Sequence, residues 1–292
     1  VKKTGIYIFL CLIILAGCTQ PLVNIDAELK GKTPTAYSTM NPAQMEATEV
    51  SLLPTGVHLQ ASLDLSGGLD GKPASHDQMD YLLYLPDGYH RDPDREWPFI
   101  LFLHGAGDQD NDSGFLMSSG LPGVLFLQEQ PEEFPFVVVS PQAFPNIPWW
   151  TGDTLAVLNV LLDEVISKYR IDESRIYLTG LSMGGYGSWF LASAYPERFA
   201  AMASISGSGY RMPLPLDQEL ICKLAPVPTW GIHGANDMIS APEASEFHLR
   251  FLESVCGGEV KWTLYNDEGH LSAFERAYRD PDLYSWFLEY SK

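Results

Sequence analysis

The sequence predicts an α/β protein with a mostly parallel central sheet and helices on both faces. Three observations carry that expectation. Short apolar runs alternate with longer segments of helical period from about residue 81 to 290. Several of the short runs are apolar at nearly every position, as strands covered on both faces must be. Neither an internal repeat nor a second linker divides the region, so one domain is expected at 48–292. The composition suits a large core: of 292 residues, 46% are hydrophobic and 12% aromatic, too apolar for a disordered chain.

The strands expected at 81–85 and 99–103 are bounded by Pro86 and Pro98. Further strands are expected at 136–139, 175–179, 201–205, 229–232 and 260–265. Between them, residues 154–169 carry Leu155, Leu158, Leu161, Leu162, Val165 and Ile166 at helical spacing. A second helix at 183–194 is stopped by Pro196, and two more are expected at 243–255 and 272–290.

Charge removes whole classes of function. Eighteen Lys and Arg stand against 37 Asp and Glu, a formal charge of −19. A nucleic-acid binder needs a basic face to displace counterions, so no nucleic-acid partner is expected. Electrostatic docking to anionic lipid is disfavoured for the same reason. The four cysteines, at 11, 18, 222 and 256, include no CxxC pair, and a zinc ribbon is out.

The first residues read as an address. Lys2 and Lys3 precede an apolar run at 6–15, well short of the roughly 20 residues of a membrane-spanning helix. A basic start, a short apolar stretch and small residues after it form a secretory signal. Leu15-Ala16-Gly17-Cys18 resembles the bacterial lipobox, in which the cysteine thiol is acylated and becomes the new N-terminus. The expected organisation is therefore a signal peptide at 1–17, a lipidated flexible tether at 18–47 holding Pro21, Pro34 and Pro42, and the domain beyond. Attachment through Cys18 would place that domain on a bacterial cell-envelope membrane, facing the periplasm or the exterior. Cys222 and Cys256 then remain in an oxidising compartment. Spacing alone leaves both a disulfide and two separate buried thiols open.

Gly180-Leu181-Ser182-Met183-Gly184 is the chain's one match to G-x-S-x-G. A strand is expected to run into it and a helix out of it, the setting in which a tight turn lifts a serine Oγ above a sheet. The helix N-terminus beneath would favour an oxyanion. A serine nucleophile needs a base, and the base a carboxylate. Asp237 follows the strand at 229–232, in His233-Gly234-Ala235-Asn236-Asp237. His270 follows the strand at 260–265, in Asp267-Glu268-Gly269-His270. Both loops leave carboxyl ends of expected parallel strands, the edge where Ser182 stands. Asp267 is the rival carboxylate, but it sits on the same loop as His270, so Asp237 is the expected partner. His58, His76, His90 and His248 lack such a setting and read as surface or loop residues. His104-Gly105-Ala106-Gly107 follows the strand at 99–103. The backbone N–H groups of Ala106 and Met183 are the expected oxyanion hole, each donor worth about 3–4 kcal/mol of barrier, while the His104 side chain reads as structural.

These segments, above all the run Arg175-Ile-Tyr-Leu-Thr-Gly-Leu-Ser-Met-Gly-Gly-Tyr-Gly-Ser-Trp189, resemble the bacterial α/β-hydrolase esterases. Within them the sequence looks most like the phospholipase/carboxylesterase and "predicted peptidase" branch, related to feruloyl and polyester-depolymerase-type esterases. The resemblance covers about residues 80–290. It implies the α/β-hydrolase fold, a Ser182–Asp237–His270 triad, a small-molecule ester substrate and no metal or organic cofactor. One departure is Leu271-Ser272-Ala273-Phe274, where relatives often carry a polar residue and tryptophan, and this bears on the leaving-group side. Trp149 and Trp150 are the candidate substrate-binding wall, the other reading being that they pack their loop against the core. Residues 205–229 are too few for a large apolar cap, which favours short-acyl or aryl esters. A serine peptidase or other amide hydrolase is the alternative within enzymes. A catalytically silent ligand-binding lipoprotein is the alternative outside them.

Overall fold

Strands buried along most or all of their length occupy the middle of the sheet. In the computed structural model, which describes residues 50–69, 74–109, 113–211, 214–215 and 218–292, β3 (Trp97–Leu103), β4 (Val137–Pro141), β5 (Ile171–Leu181), β6 (Ala201–Ile205) and β9 (Thr229–Gly234) lie inside an eight-stranded sheet. Its outer strands are β1 (His58–Asp64), followed inward by β2 (Gln78–Tyr84), and at the other edge β10 (Val260–Tyr265); the order is β1-β2-β4-β3-β5-β6-β9-β10. β1 and β2 pair antiparallel, as do β2 and β4, and every other pair is parallel. A separate two-stranded ribbon joins β7 (Tyr210–Arg211) to β8 (Leu214–Pro215). The signal-like segment, Cys18, the tether and the boundary expected at residue 48 lie outside the described residues.

The period of two along the strands sorts side chains into two cores. In β3, Phe99, Leu101 and Leu103 face one core while Ile100 and Phe102 face the other. The first core is closed by α2 (Gly152–Lys168), α3 (Met183–Ala194) and α5 (Pro242–Ser254), through residues such as Leu158, Leu161, Trp189 and Leu249. The second is closed by α1 (Gly120–Leu127), α6 (His270–Arg279) and α7 (Pro281–Leu288), through Val124, Phe274, Tyr278 and Phe287. Each fully buried side chain of this size contributes about 1.5–3 kcal/mol of transfer free energy.

Several elements differ from the sequence expectation, among them the ribbon of β7 and β8 and the short helix Gln218–Lys223, neither of which was expected. β1 was not expected, although Leu59, Ala61 and Leu63 alternate inward along it with the period of a half-buried edge strand. α1 begins Gly120-Leu121-Pro122-Gly123, a helix-poor composition. It is held by burial of Leu121, Val124 and Leu125, with Pro122 tolerated in the first turn. The single helix expected at 272–290 is two helices. Asp280 is extended and caps Asp282, and Pro281 has no N–H to continue α6.

Cys222, in α4 (Gln218–Lys223), and Cys256, just past α5, form a disulfide with Cα atoms 5.0 Å apart. It closes a span of 34 residues, for which the chain-entropy account gives about 3–4 kcal/mol.

Candidate active site

Parallel pairing brings several strand ends to one edge of the sheet. Leu103 pairs with Gly180, Leu181 with Ile205, Ile205 with Ile232, and Gly234 with Tyr265. The loops after β3, β5, β9 and β10 therefore leave side by side, and these hold the segments singled out in the sequence.

Ser182 is the single residue between β5 and α3, at φ 50° and ψ −115°. A non-glycine residue in that region is strained, and surrounding contacts must hold it there. Its N–H donates to Ile205 O at 2.9 Å, and its carbonyl accepts from Tyr186 N–H at 3.0 Å. The motif's glycines are needed for closeness. A Cβ on Gly184 would run into Leu103 O, and one on Gly180 into Gly184 O. The half-buried Ser182 thus sits above the sheet on the first turn of α3.

His270 opens α6, with Phe274 edge-on to its ring at 4.7 Å. Its Nε2 lies 2.9 Å from Ser182 Oγ and its Nδ1 2.6 Å from Asp237 Oδ2. The carboxylate accepts there, so Nδ1 carries the proton and Nε2 is left to accept from the serine hydroxyl. Asp237 Oδ1 receives the N–H groups of Ile239 (2.9 Å) and Ser240 (2.8 Å). Burial works to raise the Asp237 pKa, but the Ser240 N–H, His270 and the Ile239 N–H outweigh it and hold the carboxyl below its ordinary value. The two loops are stitched together, Ala235 N–H to Tyr265 O and Asn236 N–H to Glu268 O, both at 2.9 Å. Asp267, the rival, is exposed in the turn before α6.

The loop after β3 flanks Ser182. A Cβ on Gly105 would stand 3.7 Å from Ser182 Cβ. Ala106 opens a short 3-10 turn, Ala106–Asp108, and Met183 opens α3. The first N–H groups of a helix have no intrahelical acceptor, which leaves such groups for a ligand. The loop is pinned from below. His104 Nδ1–H donates to Gly105 O at 2.7 Å, and its Nε2 accepts from Ala143 N–H at 3.0 Å. Burial pushes this histidine down to about 4, so it stays neutral. Gln142 Nε2 donates to Asp108 O at 2.8 Å.

Trp149 is not a substrate wall. It is fully buried, its Nε1–H donates to His104 O at 3.0 Å, and its Cβ fills the space a side chain on Gly187 would need. Packing of the loop decides its role. Trp150 is half-buried, its ring 6.2 Å from those of Tyr186 and Phe190. His248, read as a surface or loop residue, is buried on α5, where its Nδ1–H donates to Ala244 O at 2.6 Å. Sequence reasoning also passed over His233, whose Nε2 lies 3.1 Å from Asp237 Oδ2. The signal was its place four residues before the acid, on the same strand end. Tyr186 was passed over too: its hydroxyl meets Ser240 Oγ at 2.5 Å and ties α3 to the acid loop.

A family model described as "Putative esterase" matches residues 73–247, which include Ser182 and Asp237. The chain belongs to this esterase family. Among curated proteins the chain is 28% identical over 162 residues to a probable feruloyl esterase C of Aspergillus terreus, covering 55% of each chain. It is 31% identical over 144 residues to a bifunctional acetylxylan esterase/xylanase of Neocallimastix patriciarum, covering 48% of this chain and 19% of that one. A solved thermostable esterase matches with a TM-score of 0.66 and 29% identity, over 80% of this chain and 63% of its own. A feruloyl esterase module from Clostridium thermocellum, solved with sinapinate, matches at TM-score 0.55 and 16% identity, a likeness of fold alone. The chain therefore spans about half or less of the two curated relatives and under two thirds of the thermostable esterase. Its architecture is the α/β-hydrolase fold.

Proposed function

We propose that the protein is a serine carboxylesterase that cleaves short-acyl or aryl esters through an acyl-enzyme. The observation that carries this reading is the unbroken hydrogen-bonded run from Ser182 Oγ through the His270 ring to Asp237 Oδ2. In the first half-reaction Ser182 Oγ bonds to the ester carbonyl carbon and its proton passes to His270 Nε2. The carbonyl oxygen takes the electron pair and the negative charge, facing the Ala106 and Met183 N–H groups. As the carbonyl re-forms, the C–O bond to the alcohol breaks and His270 returns the proton to the leaving oxygen. Water then takes the place of the serine and the sequence repeats, freeing the acid. Asp237 fixes the tautomer and balances the imidazolium formed in each half.

The substrate class is supported by the relatives, feruloyl and acetylxylan esterases among them. Met238, Ile239 and Leu271, exposed apolar neighbours of Asp237 and His270, support an apolar acyl or aryl group in the cleft. A panel of p-nitrophenyl acetate, methyl ferulate and aminoacyl p-nitroanilides tests this, beside labelling by a fluorophosphonate. Turnover of the esters, with labelling on Ser182, is the expected result. A labelled protein that cleaves only the anilides is an amide hydrolase, and a folded protein that takes no label is a binding protein.

The same reading includes attachment to a bacterial cell-envelope membrane through acylated Cys18, supported by Leu15-Ala16-Gly17-Cys18. Two or more acyl chains hold a soluble domain without a basic patch. Cys18→Ser is expected to leave unprocessed precursor, and mass spectrometry of a wild-type N-terminus without acyl groups would overturn the assignment.

A further inference from the structure

His233, near the end of β9, is fully buried, and both of its ring nitrogens are engaged. Nε2 lies 3.1 Å from Asp237 Oδ2, the oxygen that also receives His270 Nδ1–H, and 3.0 Å from Ser240 O. Both neighbours are acceptors, so Nε2 carries a proton whatever the charge of the ring. Nδ1 lies 2.9 Å from Ser245 Oγ on α5, and that hydroxyl reaches Gly207 O at 2.7 Å. Gly207 in turn lies against Gly185 of the nucleophile helix, too close for a Cβ between them. The Trp262 ring of β10 stands 6.2 Å away. Of the groups around His233, the titratable ones are Asp237 and, beyond it on α6, His270. Burial holds the His233 pKa below its ordinary value, against the pull of Ser240 O and Asp237. An apolar side chain would fill this volume without the cost of desolvating a polar ring.

We propose that His233 is a positioning residue for the hydrolytic reaction: its Nε2–H orients the Asp237 carboxylate toward His270 and draws charge from the oxygen that His270 uses. Asp237 Oδ1 receives two backbone N–H groups and Oδ2 receives His270 Nδ1–H, while His233 Nε2, whose proton also faces Ser240 O, stands 3.1 Å from the same Oδ2. Each donor stabilises the carboxylate and weakens it as a proton acceptor. Without His233, Oδ2 would face His270 alone and favour the imidazolium more strongly. The imidazolium would then persist to higher pH and give its proton to the leaving group less readily. The inference rests on the Ser182–His270–Asp237 reading.

The test compares kcat, KM and the pH profile of kcat/KM for p-nitrophenyl acetate in the full chain and in four variants. His233→Leu is expected to lose about 10- to 100-fold in kcat, the scale of one hydrogen bond to a charged group, with KM little changed. Its acid limb should move up by about half a pH unit. His233→Gln, which offers an amide N–H near the position of Nε2, should recover most of kcat and return the limb toward wild type. Ser245→Ala loosens the ring from behind and should move the limb upward by less, which keeps the proposal testable where the leucine variant does not fold. A folded His233→Leu protein with wild-type kcat and an unmoved limb overturns the proposal. Equal losses in the leucine and glutamine variants with an unmoved limb also overturn it, since packing alone would then explain them. An unmoved limb in Ser245→Ala counts against it as well. Ser182→Ala separates the two readings: full activity there sinks the triad, whereas an inactive Ser182→Ala beside indifferent His233 variants sinks only the role of His233.

Discussion

Ser182→Ala and His270→Ala are each expected to lower kcat on a p-nitrophenyl ester by about four to six orders of magnitude, and the double variant by little more. The reason lies in the 2.9 Å contact between Ser182 Oγ and His270 Nε2. Without the imidazole the serine hydroxyl is a weak nucleophile, and without the hydroxyl the imidazole has no attacking proton to accept. Once either is gone, the other contributes almost nothing, so the losses do not add. KM should change little, because neither group is needed to seat the ester. The residual rate would come from the N–H groups of Ala106 and Met183 and from substrate binding. Stopped assays of the three variants, with thermal melting to verify folding, check this. Additive losses would mean that the two residues do not act as one relay.

Asp237→Asn is expected to cost about 10⁴-fold in kcat, because an amide in place of Oδ2 can favour the wrong imidazole tautomer. Its effect on pH dependence has a definite sign. The donors around Asp237 hold its pKa below the ordinary carboxylate value, so the carboxylate stays ionised at neutral and mildly acid pH. The acid limb of kcat/KM therefore reports His270, which must be neutral to accept the serine proton. Removing a negative charge 2.6 Å from Nδ1 destabilises the imidazolium, and the limb should move to lower pH. That is opposite to the shift expected for His233→Leu, so the two variants check each other. Asp267→Asn should leave rate and limb nearly unchanged, since Asp267 is exposed in the turn. If Asp267→Asn reproduces the collapse and Asp237→Asn does not, the carboxylate assignment is reversed.

Much of this site was readable before any coordinates, for a local reason. Ser182 is marked by its own neighbours: apolar strand before it, helix after it, and glycines where the turn leaves no room for a Cβ. Asp237 and His270 are marked by what precedes them, because a residue just past a parallel strand must emerge at the strand's carboxyl edge. His104, Gly105 and Ala106 were found in the same way. Once the sheet is parallel, these separate local statements become statements about one place.

The features that sequence reasoning missed depend on which distant atom lies across a gap. Trp149 and Trp150 are adjacent and chemically alike, yet Gly187, nearly forty residues away, receives one of them into the core. Cys222 and Cys256 were compatible both with a bond and with separation until α4 and the end of α5 were placed together. His233 looked like any histidine just past a strand. Its meaning comes from Ser245 and Gly207 on one side and a shared carboxylate oxygen on the other. The sequence by itself determined the α/β class, the sheet edge and the order of the candidate triad, because strand and helix periods and turn residues act over a few neighbours. Tertiary structure alone decided which tryptophan is core, which thiols join and which second histidine leans on Asp237, because packing and hydrogen bonding are set by distances that no local pattern encodes.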